Sequence, residues 1–399
     1  MAVITRRTIL AATAAAGMAA ATSAAPRTKR AYRRIATEEG FLSPGVLAQN
    51  GRTRIPGVPL ITSDGPASGV ARVLTDLGAG RLAAMDVDGI DMQLLLLSSP
   101  GVQVFDRATA ITLAAESNDY AAAACKRHPT RFAALAAIAP QDPAAAAKEL
   151  ERATRTLGLK GGIINSHTFD HYLDEQSFWP IFEAAEALDV PIYIHPREPA
   201  TGMREIMAGP VAGGPAWAYG VEVGTHILKL ISAGVFDRFP RLRIVVGHMG
   251  EALPFWLPRI DNRYVAMRAS MFGGAKPMQR LPSDYIRENL WVTTSGMNYW
   301  PQLRMTLDML GHDRVMYATD YPFEKQGEAV GFVRRCRSPP AIAKCCSRTS
   351  RRASSGCDQP RLMRASTIST SASMSPSERN PTPMAALASS GGWSNGPPR

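Results

Sequence analysis

The chain reads as an α/β protein built as a (β/α)8, TIM-like barrel, and three observations carry that reading. Eight strand-like apolar runs occur in about 300 residues, and helical patterns separate most of them. Three of the runs end in a side chain able to hold a metal: Pro191-Ile-Tyr-Ile-His195, Ile244-Val-Val-Gly-His248 and Val315-Met-Tyr-Ala-Thr-Asp320. A parallel barrel gathers its chemistry at the carboxyl ends of its strands, so such residues converge there.

The elements follow in order. The first run, 34–39, closes on a fourth candidate, Glu38 in Ile35-Ala-Thr-Glu38-Glu39, and the second covers 92–98. After the third run, 131–139, Asp142 caps a helix with Pro143 at its first position. Leu150, Ala153 and Leu157 line one face, and Gly158 stops it. The fourth run, 160–166, leads into His167. Beyond it Phe178, Ile181, Phe182, Ala185 and Leu188 form a stripe at helical spacing, which reads as core rather than as a cofactor box. Runs at 190–195, 242–248, 290–295 and 314–319 complete the eight. Periodicity counts strands without closing them, so a doubly wound sheet stays open. No Gly-rich phosphate loop follows the first strand, because Gly158-Leu-Lys-Gly-Gly162 precedes a strand, and no dinucleotide is expected.

The formal charge of +11 belongs to the ends of the chain. Residues 1–34 carry seven basic groups and no acidic one, and 334–399 carry eleven basic against two acidic, which leaves a net −5 for the body. No nucleic-acid partner is therefore expected. At the first end, Thr5-Arg6-Arg7-Thr8-Ile9-Leu10 precedes an alanine-rich stretch running to Ala25 and resembles a twin-arginine export signal over residues 1–30. An exported, periplasmic protein without a lasting membrane span is expected. From about Arg334 periodicity vanishes, Ser, Arg and Pro dominate, and four of the five cysteines appear (Cys336, Cys345, Cys346, Cys357). A shift of reading frame or a low-complexity basic tail over 334–399 would each produce this change. The remaining cysteine, Cys125, sits in a helical pattern as a small packed side chain.

The folded body, 33–333, carries the candidate chemistry. Carboxylates and a neutral imidazole suit a borderline divalent ion, and Glu38, His195 and Asp320 occupy matching strand-end positions. Asp320, taken alone, also reads as a cap for the next helix; past an eighth strand it can bind metal and hold a proton. His248 and Glu251 lie three apart and can meet within one turn, where the carboxylate raises the imidazole pKa and sets its tautomer. Arg259, eight residues further on a helical pattern, is either solvated surface or a bidentate fork for a substrate carboxylate. Among the other histidines, His226 reads as a satisfied core residue, His128 and His312 as surface, and His167 as a strand-end residue within reach of a ligand.

With these residues in view, a family resemblance emerges. Ile35-Ala-Thr-Glu-Glu39, Ser99-Pro-Gly-Val-Gln103, Ala139-Pro-Gln-Asp-Pro143, Ile164-Asn-Ser-His167, Tyr193-Ile-His-Pro196, Gly247-His-Met-Gly-Glu-Ala-Leu-Pro254 and Tyr317-Ala-Thr-Asp-Tyr-Pro322 resemble the amidohydrolase-related aromatic acid decarboxylases over roughly residues 33–333. The branch most resembled acts on 5-carboxyvanillate, with γ-resorcylate and 2,3-dihydroxybenzoate branches beside it. The resemblance implies the barrel of the metal-dependent hydrolase superfamily and non-oxidative release of CO2 from a hydroxylated aromatic acid. It implies Glu38, His195 and Asp320 as ligands of one divalent ion, Mn2+ ahead of Zn2+ or Mg2+. His248 and Glu251 become the active-site dyad, Asp320 the proton donor, and Arg259 a substrate contact. It also implies a homo-oligomer, dimer or tetramer, if the carboxyl terminus is intact.

Many members carry a second ligand histidine two residues after the first glutamate, where this chain has Gly40. Two other readings stand beside this one. A metal-dependent hydrolase of a lactone or amide would use the same strand ends to activate water, although such enzymes commonly begin with a His-x-His pair. An inactive or ligand-binding relic of the family would explain a thinned site and an altered carboxyl terminus.

Overall fold

In the computed structural model, residues 33–267 and 278–335 are described. They form eight parallel strands: β1 Ile35–Phe41, β2 Met92–Leu97, β3 in two stretches (Phe132–Ala134 and Ala136–Ala137), β4 Gly162–Ile164, β5 Ile192–Ile194, β6 Ile244–Val246, β7 Leu290–Thr293 and β8 Val315–Met316. Every pairing between neighbours in chain order is parallel. Leu135 interrupts β3, yet the ladder carries on through it: Leu135 N–H donates to Leu95 O and Lys160 N–H to Ala134 O, each at 2.9 Å.

The ring closes between the last strand and the first. Thr37 N–H donates to Tyr317 O at 3.0 Å, and Gly40 N–H donates to Tyr321 O at 2.8 Å. Closure removes both sheet edges and settles the choice between a barrel and an open doubly wound sheet. Strand residues are buried apart from a partly covered Trp291, as expected where helices cover the outside and side chains fill the inside.

The helices start where the sequence offers an acceptor. Asp142 accepts from Ala145 N–H at 3.0 Å and begins Pro143–Arg155, whose Leu150 and Ala153 are fully buried. That helix stops at Arg155, so Leu157 packs on the core from the turn before Gly158, where φ is +76°. Ser43 and Asp106 cap Pro44–Arg52 and Arg107–Arg127 in the same way. The stripe after β4 divides between a 3-10 turn ending at Phe178 and the helix Trp179–Ala187.

Several expectations change in detail. Strands two to eight are shorter than the apolar runs, although residues flanking them still bond across to the neighbouring strand, as His195 N–H does to Ile164 O at 3.0 Å and Thr294 N–H to Met316 O at 3.0 Å. Glu38 does not end its strand: it lies inside β1, where the pairing with β2 slips between Ala36 and Glu39, and the strand runs on to Phe41. The bulge lets the adjacent carboxylates separate, one to the ion cluster and one to Thr319. The signal segment 1–30 lies outside the described residues, as does the tail beyond Arg335, into which the helix Gln326–Arg335 leads.

Candidate metal centre and catalytic dyad

Glu38, His195 and Asp320 each offer one ligand atom, and these atoms lie within 4.8 Å of one another. Each arrives by a different local device. Glu38 sits at the bulge of β1 and is fully buried. His195 is the first residue past β5, and its Nδ1 lies 2.8 Å from Pro196 O. A carbonyl can only accept, so Nδ1 carries the proton and the Nε2 lone pair is left for a ligand. Asp320 follows β8 in the left-handed region at φ +60°, and its carbonyl accepts from Phe323 N–H at 2.8 Å and Glu324 N–H at 3.0 Å. The backbone of Asp320 thus builds the turn while its side chain stays in the cluster.

Glu38 Oε2 accepts from the hydroxyls of Thr293 and Ser295, whereas Oε1 is buried without a hydrogen-bond partner. Oε1 lies 3.7 Å from His195 Nε2 and 3.9 Å from His248 Nε2. A buried carboxylate oxygen without a donor is costly unless a cation faces it. Together with an imidazole held in the right tautomer and a second carboxylate, it fits a divalent ion such as manganese. Gly247 makes the approach possible: a Cβ there would lie 2.7 Å from Glu38 Oε1.

His248 opens the second part of the site. Its Nδ1 meets Glu251 Oε1 at 2.7 Å, and its Nε2 lies 3.7 Å from Asp320 Oδ2. The two residues meet through a left-handed turn instead of a regular helix: His248, Met249, Gly250, Glu251 and Ala252 all have positive φ, from +49° to +80°. On the far side, the helix Ala218–Ser232 presents Gly220, where a Cβ would come within 2.8 Å of Glu251 Oε2. Glycine at that place lets Glu251 stay against His248.

Burial would discharge His248, but the carboxylates of Glu251 and Glu38 outweigh it and hold the imidazole well above its usual pKa. Burial likewise raises Glu38, yet the neighbouring His248 and His195 and the two hydroxyl donors prevail and bring its carboxyl below the ordinary range. For Asp320 burial wins, with Glu38 adding to it, and the carboxyl rises above the ordinary range despite His248. A carboxyl poised upward beside an imidazolium is suited to holding and releasing a proton.

Other expected residues are placed differently. His167 is buried, with Nε2 2.9 Å from Glu198 O and Nδ1 accepting from Asp170 N–H at 3.2 Å, so both nitrogens are engaged by backbone. Arg259 is exposed on the helix Leu253–Met267 and has no hydrogen bond or ion pair among the described residues, so it does not join the cluster within this chain. His226 is a satisfied core residue, between Ser166 Oγ at 2.9 Å and Leu173 N–H at 3.1 Å. At Gly40 a Cβ would meet Ser98 Oγ at 2.5 Å and Leu74 Cδ2 at 3.2 Å, so both side chains would have to shift to admit one.

The hydroxyls of Thr293 and Ser295 were absent from the sequence-derived site. Their signal is a polar Thr-Thr-Ser ending at the carboxyl end of the seventh apolar run, which is weak because such residues also end ordinary strands. Glu39 is also unanticipated. It accepts from Thr319 N–H at 2.9 Å and Thr319 Oγ1 at 2.7 Å, and burial raises its carboxyl to about 8.

Comparison with known proteins gives a consistent picture. A family model described as amidohydrolase matches residues 71–352. A γ-resorcylate decarboxylase from Polaromonas is 39% identical over 267 residues, covering 65% of this chain and 81% of its own. The crystal structure of a 5-carboxyvanillate decarboxylase from Sphingomonas paucimobilis is similar at TM-score 0.77 and 41% identity, covering 81% of this chain and 98% of that one. A 5-carboxyvanillate decarboxylase from Novosphingobium aromaticivorans, solved with manganese and 4-hydroxy-3-methoxy-5-nitrobenzoic acid, is similar at TM-score 0.77 and 39% identity over 81% of this chain and 96% of that one.

Proposed function

Because this chain belongs to the amidohydrolase family, we propose that it is a metal-dependent, non-oxidative decarboxylase of a hydroxylated aromatic carboxylic acid. The observation that carries the reading is the convergence of Glu38, His195 and Asp320 beside the His248–Glu251 pair. The first three would hold the ion, with manganese favoured by its presence in similar structures. A small aromatic acid is the partner that follows. Hydrolysis of a lactone or amide is disfavoured, since Gly40 supplies no second strand-one ligand.

Loss of CO2 from an ortho-hydroxybenzoate strands negative charge on the ring carbon unless that carbon is protonated first. When bound, the divalent ion supplies positive charge towards the carboxylate and phenolate oxygens. Asp320, raised by burial, holds the proton at its carboxyl and delivers it to the ring carbon. His248, kept cationic by Glu251 and Glu38, polarises the phenolic oxygen through Nε2. Glu251 fixes the orientation of His248 through Nδ1.

The decisive experiment is metal analysis of the purified protein, then incubation with hydroxylated benzoates and with lactones. The expected result is CO2 from an ortho-hydroxylated benzoate, lost on chelation and restored by Mn2+. Acid release from lactones without CO2 would sink the proposal. In the same assay Asp320→Asn should lose about 10²–10⁴-fold in turnover, with its metal content measured in the same sample.

Export and assembly are part of the proposal. Arg6-Arg7 before the alanine-rich stretch supports export as a folded protein, which fractionation of cells carrying the Arg6→Lys, Arg7→Lys variant tests. Among the described residues no helix is long and apolar enough to cross a membrane. Exposed Phe255 and Trp256 on Leu253–Met267 support a homo-oligomer, which light scattering tests.

A further inference from the structure

Behind Glu38 stand two hydroxyls that ligation alone does not require. Thr293, the last residue of β7, and Ser295, two residues on, both donate to Glu38 Oε2, and their own oxygens are 2.8 Å apart. Both residues are fully buried. Each hydroxyl has one proton, so the pair can serve two of the three contacts among Thr293 Oγ1, Ser295 Oγ and Glu38 Oε2. The charged carboxylate is the strongest acceptor of the three, and with both protons on it each hydroxyl oxygen is left to accept. Ser295 Oγ accepts from His248 N–H at 3.2 Å, and the Tyr193 hydroxyl lies 3.5 Å from Thr293 Oγ1 and also interacts with the Glu38 carboxylate. The two hydroxyl donors thus end on the same oxygen, while Oε1 has no hydrogen-bond partner.

We propose that Thr293 and Ser295 are positioning residues that restrict Glu38 to a single metal-binding oxygen, Oε1, and so reserve coordination positions of the ion for the carboxylate and phenolic oxygens of the substrate. The second half rests on the decarboxylase reading; the first half does not. A glutamate can bind a hard cation through one oxygen or through both. To turn Oε2 into the ion, Glu38 would have to break two charge-assisted hydrogen bonds where no solvent can replace them. The carboxylate also has little freedom to swing. A Cβ at Gly247 would sit 2.7 Å from Oε1 and 3.3 Å from Oε2, so the two oxygens occupy the space that a side chain at 247 would need. The same Ser295 that holds Oε2 holds the backbone N–H of His248, which ties the orientation of the ligand to that of the dyad.

The test compares the wild-type protein with Thr293→Val, Ser295→Ala, both loaded with Mn2+. The readouts are the crystal structures, the Mn2+ dissociation constant from the free-ion electron paramagnetic resonance signal, and the affinity for 4-hydroxy-3-methoxy-5-nitrobenzoic acid. In the wild type, Glu38 should touch Mn2+ through Oε1 alone. In the variant both oxygens should contact the ion, Mn2+ affinity should stay within about tenfold, and affinity for the aromatic acid should fall by about tenfold or more.

Two-oxygen contact in the wild type overturns the idea. So does a variant that keeps one-oxygen contact and undiminished affinity for the acid. Should the double variant not fold, Ser295→Ala alone removes one donor and is read by the same criteria. Thr293→Ser, which keeps the hydroxyl, should behave as wild type, whereas a purely packing role for Thr293 would make it as defective as valine is competent. One-oxygen contact in a protein that decarboxylates no hydroxybenzoate would sink the decarboxylase reading and leave the role of the two hydroxyls standing.

Discussion

Single residues decide how close the parts of this site can come. Gly247 has φ −75°, which any residue adopts, so its glycine serves space rather than backbone freedom. Gly247→Ala should fold with an unchanged circular dichroism spectrum yet bind Mn2+ roughly 10–100-fold more weakly in equilibrium dialysis, because the methyl displaces Glu38 Oε1. Glu222 and His226 show a different effect, that of buried groups held neutral. Burial raises Glu222 from 4.5 to about 8, so its contribution to stability is complete below 4.5 and is lost as pH rises towards 8, at ~1.4 kcal/mol per pH unit. Burial lowers His226 from 6.5 to about 3, so its contribution is complete above 6.5 and is lost as pH falls towards 3. The two slopes oppose each other between 4.5 and 6.5 and leave Glu222 unopposed from 6.5 to 8. Urea unfolding of Glu222→Gln across that upper window should therefore show a flatter decline than the wild type. An unchanged slope would assign the loss to other groups.

Among the elements, the turn after β6 is the most strained. Four residues other than glycine, His248, Met249, Glu251 and Ala252, occupy the left-handed region, at a cost of about 1–2 kcal/mol each. The turn is held by Gly250 N–H on Gly247 O at 2.7 Å, by the His248–Glu251 contact, by buried Met249 and by the close helix at Gly220. Such strain persists where the surroundings over-determine it, and here it delivers imidazole and carboxylate to the same side of the barrel mouth. Gly250, at φ +80°, has Val292 Cγ1 2.9 Å from where a Cβ would stand. Gly250→Ala should cost about 1–3 kcal/mol in thermal unfolding and weaken the dyad together with the fold. β1 shows the opposite economy. One slipped pair lets neighbouring Glu38 and Glu39 serve the ion cluster and the packing against Thr319.

For the whole molecule, closing the ring ties these local devices into one cooperative unit. A ligand held only by the folded barrel stabilises it by mass action, and Mn2+ at a hundred times its dissociation constant should add ~2.7 kcal/mol to the unfolding free energy, reversed by chelation. Unfolding midpoints indifferent to Mn2+ would deny a preformed site. Much of this protein was legible in the chain: eight strands in alternation, the caps at Asp142 and Pro143, and the residue types at the ends of the fifth, sixth and eighth runs. These are local properties, since periodicity and capping depend on neighbours a few positions apart. Tertiary structure alone decided the rest, because it depends on pairs that have no local signature. The bonds from Thr293 and Ser295 to Glu38 span 255 and 257 residues, and Thr319 reaches Glu39 across 280. Those same long separations brought the first strand to the last two and left Glu38 a single oxygen without a hydrogen-bond partner.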